Sequence, residues 1–398
     1  MPVGDLRNKQ LECQLPSTRR HNRLIGLMTS AILFQRVTPE RGVRYLMSDA
    51  TTTWACPISM PSINGETINL AHGDGGLLSR RLIQQEITRL FGSQILTRLD
   101  DAARLPPMAG EIAFTTDSFV VSPLFFPGGD IGSLAVFGTV NDLIVSGARP
   151  RWLSLSLIIE EGLPVEVLRR VLTSAADAAK SADVSVVAGD TKVVPRGAAD
   201  QLFLNTAGIG ELIVPAPIGP HAIEVGDELL VTGNVGQHGI AILSCRENLG
   251  FEPPPLSDCA TLWPAAQALR DADVVVRAMR DATRGGVGAV LHEWATACGH
   301  SLAIESSTIP VSPDGRGICE LLGLDPLFLA NEGMMVIAVP RGASGRALST
   351  LHALPQYQTA RRIGEVRPRI ISPVIIRRGI SGDQPLDEPI GAALPRIC

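Results

Sequence analysis

Lysine is almost missing from this chain. Of its 35 basic residues only Lys9, Lys180 and Lys192 are lysines, so arginine supplies the ordinary surface charge. A lysine set in a Gly/Asp context, as Lys192 is in GDTK, therefore calls for a reason specific to lysine. Aromatics are few, at 4%. No apolar run approaches the ~20 residues that span a bilayer, which excludes an integral helical membrane protein. The seven cysteines (13, 56, 245, 259, 298, 319 and 398) form no CxxC and no regular spacing. That excludes a disulfide scaffold or zinc ribbon and points to a reducing, cytoplasmic setting. There is no GxxxxGK[ST] loop, and GGVG at 285–288 is not a dinucleotide fingerprint. A net charge of −5 argues against nucleic acid as the main partner.

What is present is a globular chain of 398 residues, 45% hydrophobic, long enough for two domains. Residues 1–59 carry eight basic and four acidic residues; the rest carry 27 and 36. Residues 1–62 read as a poorly ordered extension that need not be translated, with organised sequence beginning after Met60. The apolar stretch 24–34, behind Arg19, Arg20 and Arg23, resembles an export signal, but no small-residue cleavage site clearly follows. Beyond it, strand and helix signals alternate. Strands are expected at 112–121, 152–159, 184–188, 202–209, 228–232, 334–339 and 370–376. Helices are expected at 133–146, 164–181, 239–247 and after 284–286. This gives an α/β (α+β) chain with domains at 63–215 and 221–377, divided at the Pro215, Pro217, Gly219, Pro220 break. Residues 378–398, with Pro385, Pro389 and Pro395, read as a mobile tail ending in Cys398.

Five aspartates stand at strand ends or beside glycine: Asp117, Asp130, Asp142, Asp190 and Asp281. Each alone reads as a local cap. Together they suit magnesium, which takes carboxylate oxygens and substrate phosphates. Glycine turns at 72–76 (HGDGG) and 128–129 let backbone N–H groups approach phosphate. Lys192 can act as a point cation or a proton-transfer group, and Glu332 in ANEGMM as a turn residue or a base. Cys398 is a free thiol at the last position, suited to carrying a covalent adduct.

The runs LAHGDGG, FTTDSFVVSPLFFPGGDIGSLAVFGTVNDLIVSGARP, GDTKVVPRGAAD, LRDATRGGVGAVLHE, LANEGMM and terminal LPRIC, in this order, resemble the HypE family of hydrogenase maturation proteins over about residues 66–398. DATRGG alone is shared with a wider ATP-using superfamily that includes aminoimidazole ribonucleotide synthetase and selenophosphate synthetase. The resemblance implies a two-domain aminoimidazole ribonucleotide synthetase-like fold with a flexible C-terminal tail, dimerising through N-terminal strands. It implies an ATP-dependent carbamoyl dehydratase. A carbamoyltransferase, HypF, loads Cys398; ATP phosphorylates the carbamoyl oxygen; loss of phosphate leaves an S-cyano cysteine. Its cyanide goes to iron on a HypC–HypD complex, for [NiFe] hydrogenase. ATP and Mg²⁺ are the implied cofactors. Cys398, Lys192 and Glu332 would be catalytic. Asp117, Asp142, Asp190 and Asp281 would hold the metal, with Thr191, Arg284, Gly285, Gly286, His72 and Gly73 around the nucleotide. The alternatives are another phosphoryl-transfer enzyme of the superfamily, such as selenophosphate synthetase, or a non-catalytic carrier. The first would place a reactive cysteine near the N-terminal glycine loop, and no cysteine lies between Cys56 and Cys245.

Overall fold

The computed structural model describes residues 67–370, 372–379 and 382–388. The expected extension at 1–62 and Cys398 lie outside the described residues. Two sheets organise the chain. The first is four-stranded, ordered β1 (Ile112–Phe119), β4 (Leu202–Leu212), β2 (Ala148–Glu160), β3 (Ser185–Val194). Pairing is antiparallel except β2 with β3, whose link is a helix, α2 (Val165–Ser181). Along β4 every second residue is buried, so one face of the sheet is covered and the other is open. The covering helix is α1 (Ile131–Val145) with α2 behind it. Gly132 permits that stacking, since a Cβ there would lie 2.2 Å from the Val171 carbonyl oxygen. The open face displays Phe114, 67% exposed, with Ile112 and Ile158.

The second sheet has seven strands: β11 (Asp383–Pro385), β10 (Val374–Arg377), β7 (Ser301–Glu305), β9 (Arg361–Arg367), β5 (Glu228–Val231), β8 (Met335–Val339) and β6 (Ala278–Asp281), in that order. β8 is buried on both faces. Met334, Val336 and Ala338 pack with Val287, Val290, Leu291 and Trp294 of α5 (Gly286–Cys298), the apolar face the sequence indicates. Met335, Ile337 and Val339 join α4 (Trp263–Asp271) and α7 (Ser344–His352) in a core that runs on into Leu134, Val140 and Ile144 of α1. The apolar cores of the two halves are thus continuous through α1. Each such fully buried aliphatic side chain contributes about 1.5–3 kcal/mol.

Three expectations change. The strand expected at 184–188 runs through Val194, so Asp190, Thr191 and Lys192 stand on β3 rather than in a turn. Gly189 makes this possible: a Cβ there would meet the Leu155 carbonyl oxygen at 2.4 Å. The strand expected from 370 begins at Val374, because Pro368 and Pro373 cannot donate to a ladder. The arm expected from 378 is still part of the sheet at β11. Asp383 pairs with Arg377 and Arg367, both at 2.9 Å, and Leu386 is buried.

Candidate active site between the two halves

Asp130 is a helix cap. Its Oδ1 accepts from Gly132 and Ser133 N–H at 2.7 and 3.1 Å, which orients α1. One turn before its end, α1 carries Asp142 towards β1, where Thr115 Oγ1 donates to Asp142 Oδ2 at 2.8 Å. Asp117 is two residues along β1 on the same face. Its Oδ1 accepts from Ser118 N–H at 2.8 Å and lies 3.8 Å from Arg284 Nη2. Asp281 closes the cluster from the end of β6. Burial, then the Asp142 charge, push its carboxyl up to about 7 against the pull of Arg280, whose Nε is 3.8 Å away. Burial likewise raises Asp142, with Asp117 adding to it and the Thr115 hydrogen bond opposing. Glu332, 4% exposed, is held well above the carboxylate range by burial and then by the charges of Asp281, Asp258, Asp117 and Asp142.

Four mutually repelling carboxyls brought together from both halves make a site deficient in positive charge. The donors are hard oxygens suited to magnesium. Among the described residues no three acidic, His or Cys side chains converge on a single metal point. Arg284, 79% exposed, stands over Asp117 at the mouth of the site. Gly285 and Gly286 follow at φ +76 and +62 and open α5 beside Arg284, with the Gly286 N–H donating to the Thr283 carbonyl at 2.9 Å. Gly286 has no room for a side chain, since a Cβ would sit 2.5 Å from the Leu329 carbonyl oxygen.

The remaining expected residues form a second group along β3. Asp190 and Lys192 pair at 3.3 Å, both more than half exposed. Register aligns Asp190 with Ser156, Asn205 and Ser118, so it shares the open face and is three strands away. Asp117 lies on the covered face. Thr191 alternates to the covered side beside Leu157. His72 is buried, with Nδ1 2.9 Å from Asn69 Oδ1 and Nε2 without a partner among the described residues. Gly73 lies against the Val193 backbone. Within one chain the expected metal set therefore divides: the charges of Asp117, Asp142 and Asp281 act on one another, and Asp190 stands apart from them.

The sequence reading passed over Asn141, Asp258 and Cys259. Asn141 Nδ2 donates to the Ala260 and Glu332 carbonyls at 2.9 and 3.2 Å. Cys259 lies against this cluster, its thiol raised well above its usual value by burial and then by the Glu332 and Asp258 charges. No motif marks these residues; only NDL at Asp142 and NEG at Glu332 set amides next to the clustered carboxyls.

Among the described residues no helix is long and apolar enough to cross a membrane. The N-terminal domain model of AIR synthase related proteins matches residues 99–212, and the C-terminal domain model matches 224–373. The carbamoyl dehydratase HypE of Escherichia coli strain K12 is 48% identical over 337 residues, 83% of this chain and 99% of the relative. A crystal structure of the hydrogenase maturation protein HypE in complex with ATP aligns with TM-score 0.78 at 42% identity, over 83% of this chain and 99% of that one. A chain from the HypE–HypF complex aligns at TM-score 0.68 and 41% identity, over 77% of this chain and 99% of that one. With its carboxylate cluster and Arg-Gly-Gly turn in this setting, the chain belongs to the HypE carbamoyl dehydratase family of hydrogenase maturation proteins.

Proposed function

We propose that this chain converts an S-carbamoyl group on its own Cys398 into S-cyanocysteine at the expense of ATP, supplying cyanide for the iron of [NiFe] hydrogenase. The observation that carries this reading is the set of carboxyls Asp117, Asp142, Asp281 and Glu332 whose charges act on one another, with Arg284 3.8 Å from Asp117. An amide oxygen is a poor leaving group. Transfer of the γ-phosphoryl group to it, with loss of one N–H proton, gives an S-bound phosphorylated imidate and ADP. Loss of phosphate with the second N–H proton leaves the nitrile. Asp117, Asp142 and Asp281 would hold Mg²⁺, which supplies charge neutralisation at the transferring phosphoryl group. Arg284 and the N–H groups that open α5 bind phosphate oxygens. Glu332, buried among the same carboxyls, accepts an N–H proton once a bound cation offsets the neighbouring charges that raise its proton affinity.

The enzyme works as a homodimer in the cytoplasm. The open sheet face bearing Phe114 is the contact between copies, and Asp190 and Lys192, displayed on that same face, complete the site across it. His72 and Gly73 support β3 beside them. HypF loads the tail, and a HypC–HypD complex receives the cyanide. The test is mass spectrometry of the intact chain and its C-terminal peptide after incubation with the carbamoyltransferase, carbamoyl phosphate and ATP. A gain of about 43 Da on Cys398 that becomes about 25 Da is expected. An unmodified Cys398 beside an active transferase removes the reading.

A further inference from the structure

Glu332 belongs to no helix or strand; it sits in the turn that precedes β8. Its placement depends on what holds that turn. Asp258 supplies most of it. Its Oδ1 accepts the Glu332 N–H at 3.1 Å, and its Oδ2 accepts the Gly333 N–H at 3.2 Å and Asn331 Nδ2 at 2.7 Å. Gly333 fits only because it has no side chain, since a Cβ would lie 1.7 Å from the Asp258 carbonyl oxygen. Asn331 is itself fixed: its Nδ2 also reaches the Asn234 carbonyl, and its Oδ1 accepts the Gly236 N–H at 2.7 Å. The loop that carries Asp258 is anchored on the first half of the chain. Ser257 N–H donates to the Pro127 carbonyl at 2.8 Å. Asn141 accepts from Leu262 N–H at 2.8 Å while donating to Ala260 and Glu332.

A carboxylate that accepts three hydrogen bonds from one three-residue turn holds that turn far more tightly than neutral acceptors would. Both Asp258 oxygens are engaged by this turn. We propose that Asp258 is the positioning residue of Glu332, its loop transmitting the docking of the two halves to the orientation of the Glu332 carboxyl. The inference rests on the reading that Glu332 takes a proton from the carbamoyl nitrogen. It is a statement about geometry: Asp258 acts on the rate only through Glu332.

The test uses full-length protein already carbamoylated on Cys398. ATP is added, samples are quenched over time, and the loss of about 18 Da from the C-terminal peptide is followed. Asp258→Ala is expected to slow dehydration about 10–100-fold, the usual effect of removing the partner that orients a working group. Half-saturation by ATP should stay within about twofold, because the phosphate-binding groups are untouched. The double variant Asp258→Ala/Glu332→Gln should be no slower than Glu332→Gln alone, since two residues acting through one group are not additive. If removing three acceptor contacts prevents folding, the isosteric Asp258→Asn carries the same comparison. A wild-type rate for the Asp258 variant beside a slow Glu332→Gln overturns this inference and leaves the function of Glu332 standing. A loss that multiplies in the double variant overturns it too, because Asp258 would then act elsewhere. A wild-type rate for Glu332→Gln overturns the assignment of Glu332 itself, and the inference with it.

Discussion

Two groups of carboxylates drew attention in the sequence for the same reason, aspartate beside glycine or at a strand end, and the fold treats them in opposite ways. Asp142, Asp281 and Glu332 are enclosed where the two halves meet, with Asp117 beside them, and the enclosed carboxyls are raised by burial and by one another. Asp190 stands in solvent, 59% exposed, paired with Lys192 on the far face of the first sheet. The first group stores electrostatic tension that a cation relieves. The second stores almost none. Composition around a residue therefore says less about its chemistry than which face of a sheet it takes.

The largest effects should fall on the enclosed group. Glu332→Gln should cut dehydration of the carbamoylated tail about 10²–10⁴-fold with the fold intact, the usual contribution of a positioned proton acceptor. Quenched-flow mass spectrometry of the tail reads this directly. A loss on Lys192→Gln with none on Glu332→Gln would reverse the ranking of the two groups.

A subunit-mixing experiment sharpens the comparison further. Glu332→Gln and Lys192→Gln chains should each be inactive alone. If the open face joins two copies, the mixed dimer contains one site with both changes and one with neither. Random reassortment then restores about a quarter of the sites, by the two-fold symmetry of such a dimer. No recovery after denaturation and joint refolding would mean that Lys192 serves its own chain or none.

Next comes pH. Asp281 titrates at about 7 in the folded chain, raised from 3.8 chiefly by burial. Between those values the folded state keeps a proton that the unfolded state has released. Stability therefore falls as pH rises from about 4 to about 7, then levels off. Asp281→Asn should abolish dehydration, yet melt several degrees higher than the native chain at pH 8 without nucleotide or metal. Parallel melting curves for the two proteins from pH 5 to 8 would show that burial does not hold this carboxyl protonated.

How much of this was legible beforehand follows from which residues carried periodic or motif signals. α1, α2, β1 and the apolar stripe of α5 were readable because burial imposes regular spacing. Four strands of the second sheet were not read at all, β11 among them because 378–398 read as a mobile tail. β9 reads Arg-Arg-Ile-Gly-Glu-Val-Arg, whose three arginines and one glutamate conceal a buried Ile363, Gly364 and Val366. β6 and β7 are only four and five residues long. The candidate residues were named through family motifs, but their division between two sheet faces was not legible. That division depends on β3 running on past Gly189, and a glycine followed by aspartate reads as a turn. Asp258 was invisible because its work is done through hydrogen bonds to a distant turn, which leave no local pattern.

The smallest effect expected is on the stability that the exposed pair contributes. An ion pair between two side chains more than half in solvent contributes no more than about 1 kcal/mol, since water screens it and both chains lose freedom in forming it. Asp190→Asn should therefore shift thermal melting little, and raising the salt concentration should erase even that shift. The same indifference makes this variant informative. A protein as stable as the native one but slower in dehydration would place Asp190 in the working site of a dimer, because no loss of fold could account for the change. A protein unchanged in both respects would confine the metal set to Asp117, Asp142 and Asp281, and would leave Lys192 as the reason that this strand carries charge on its open face.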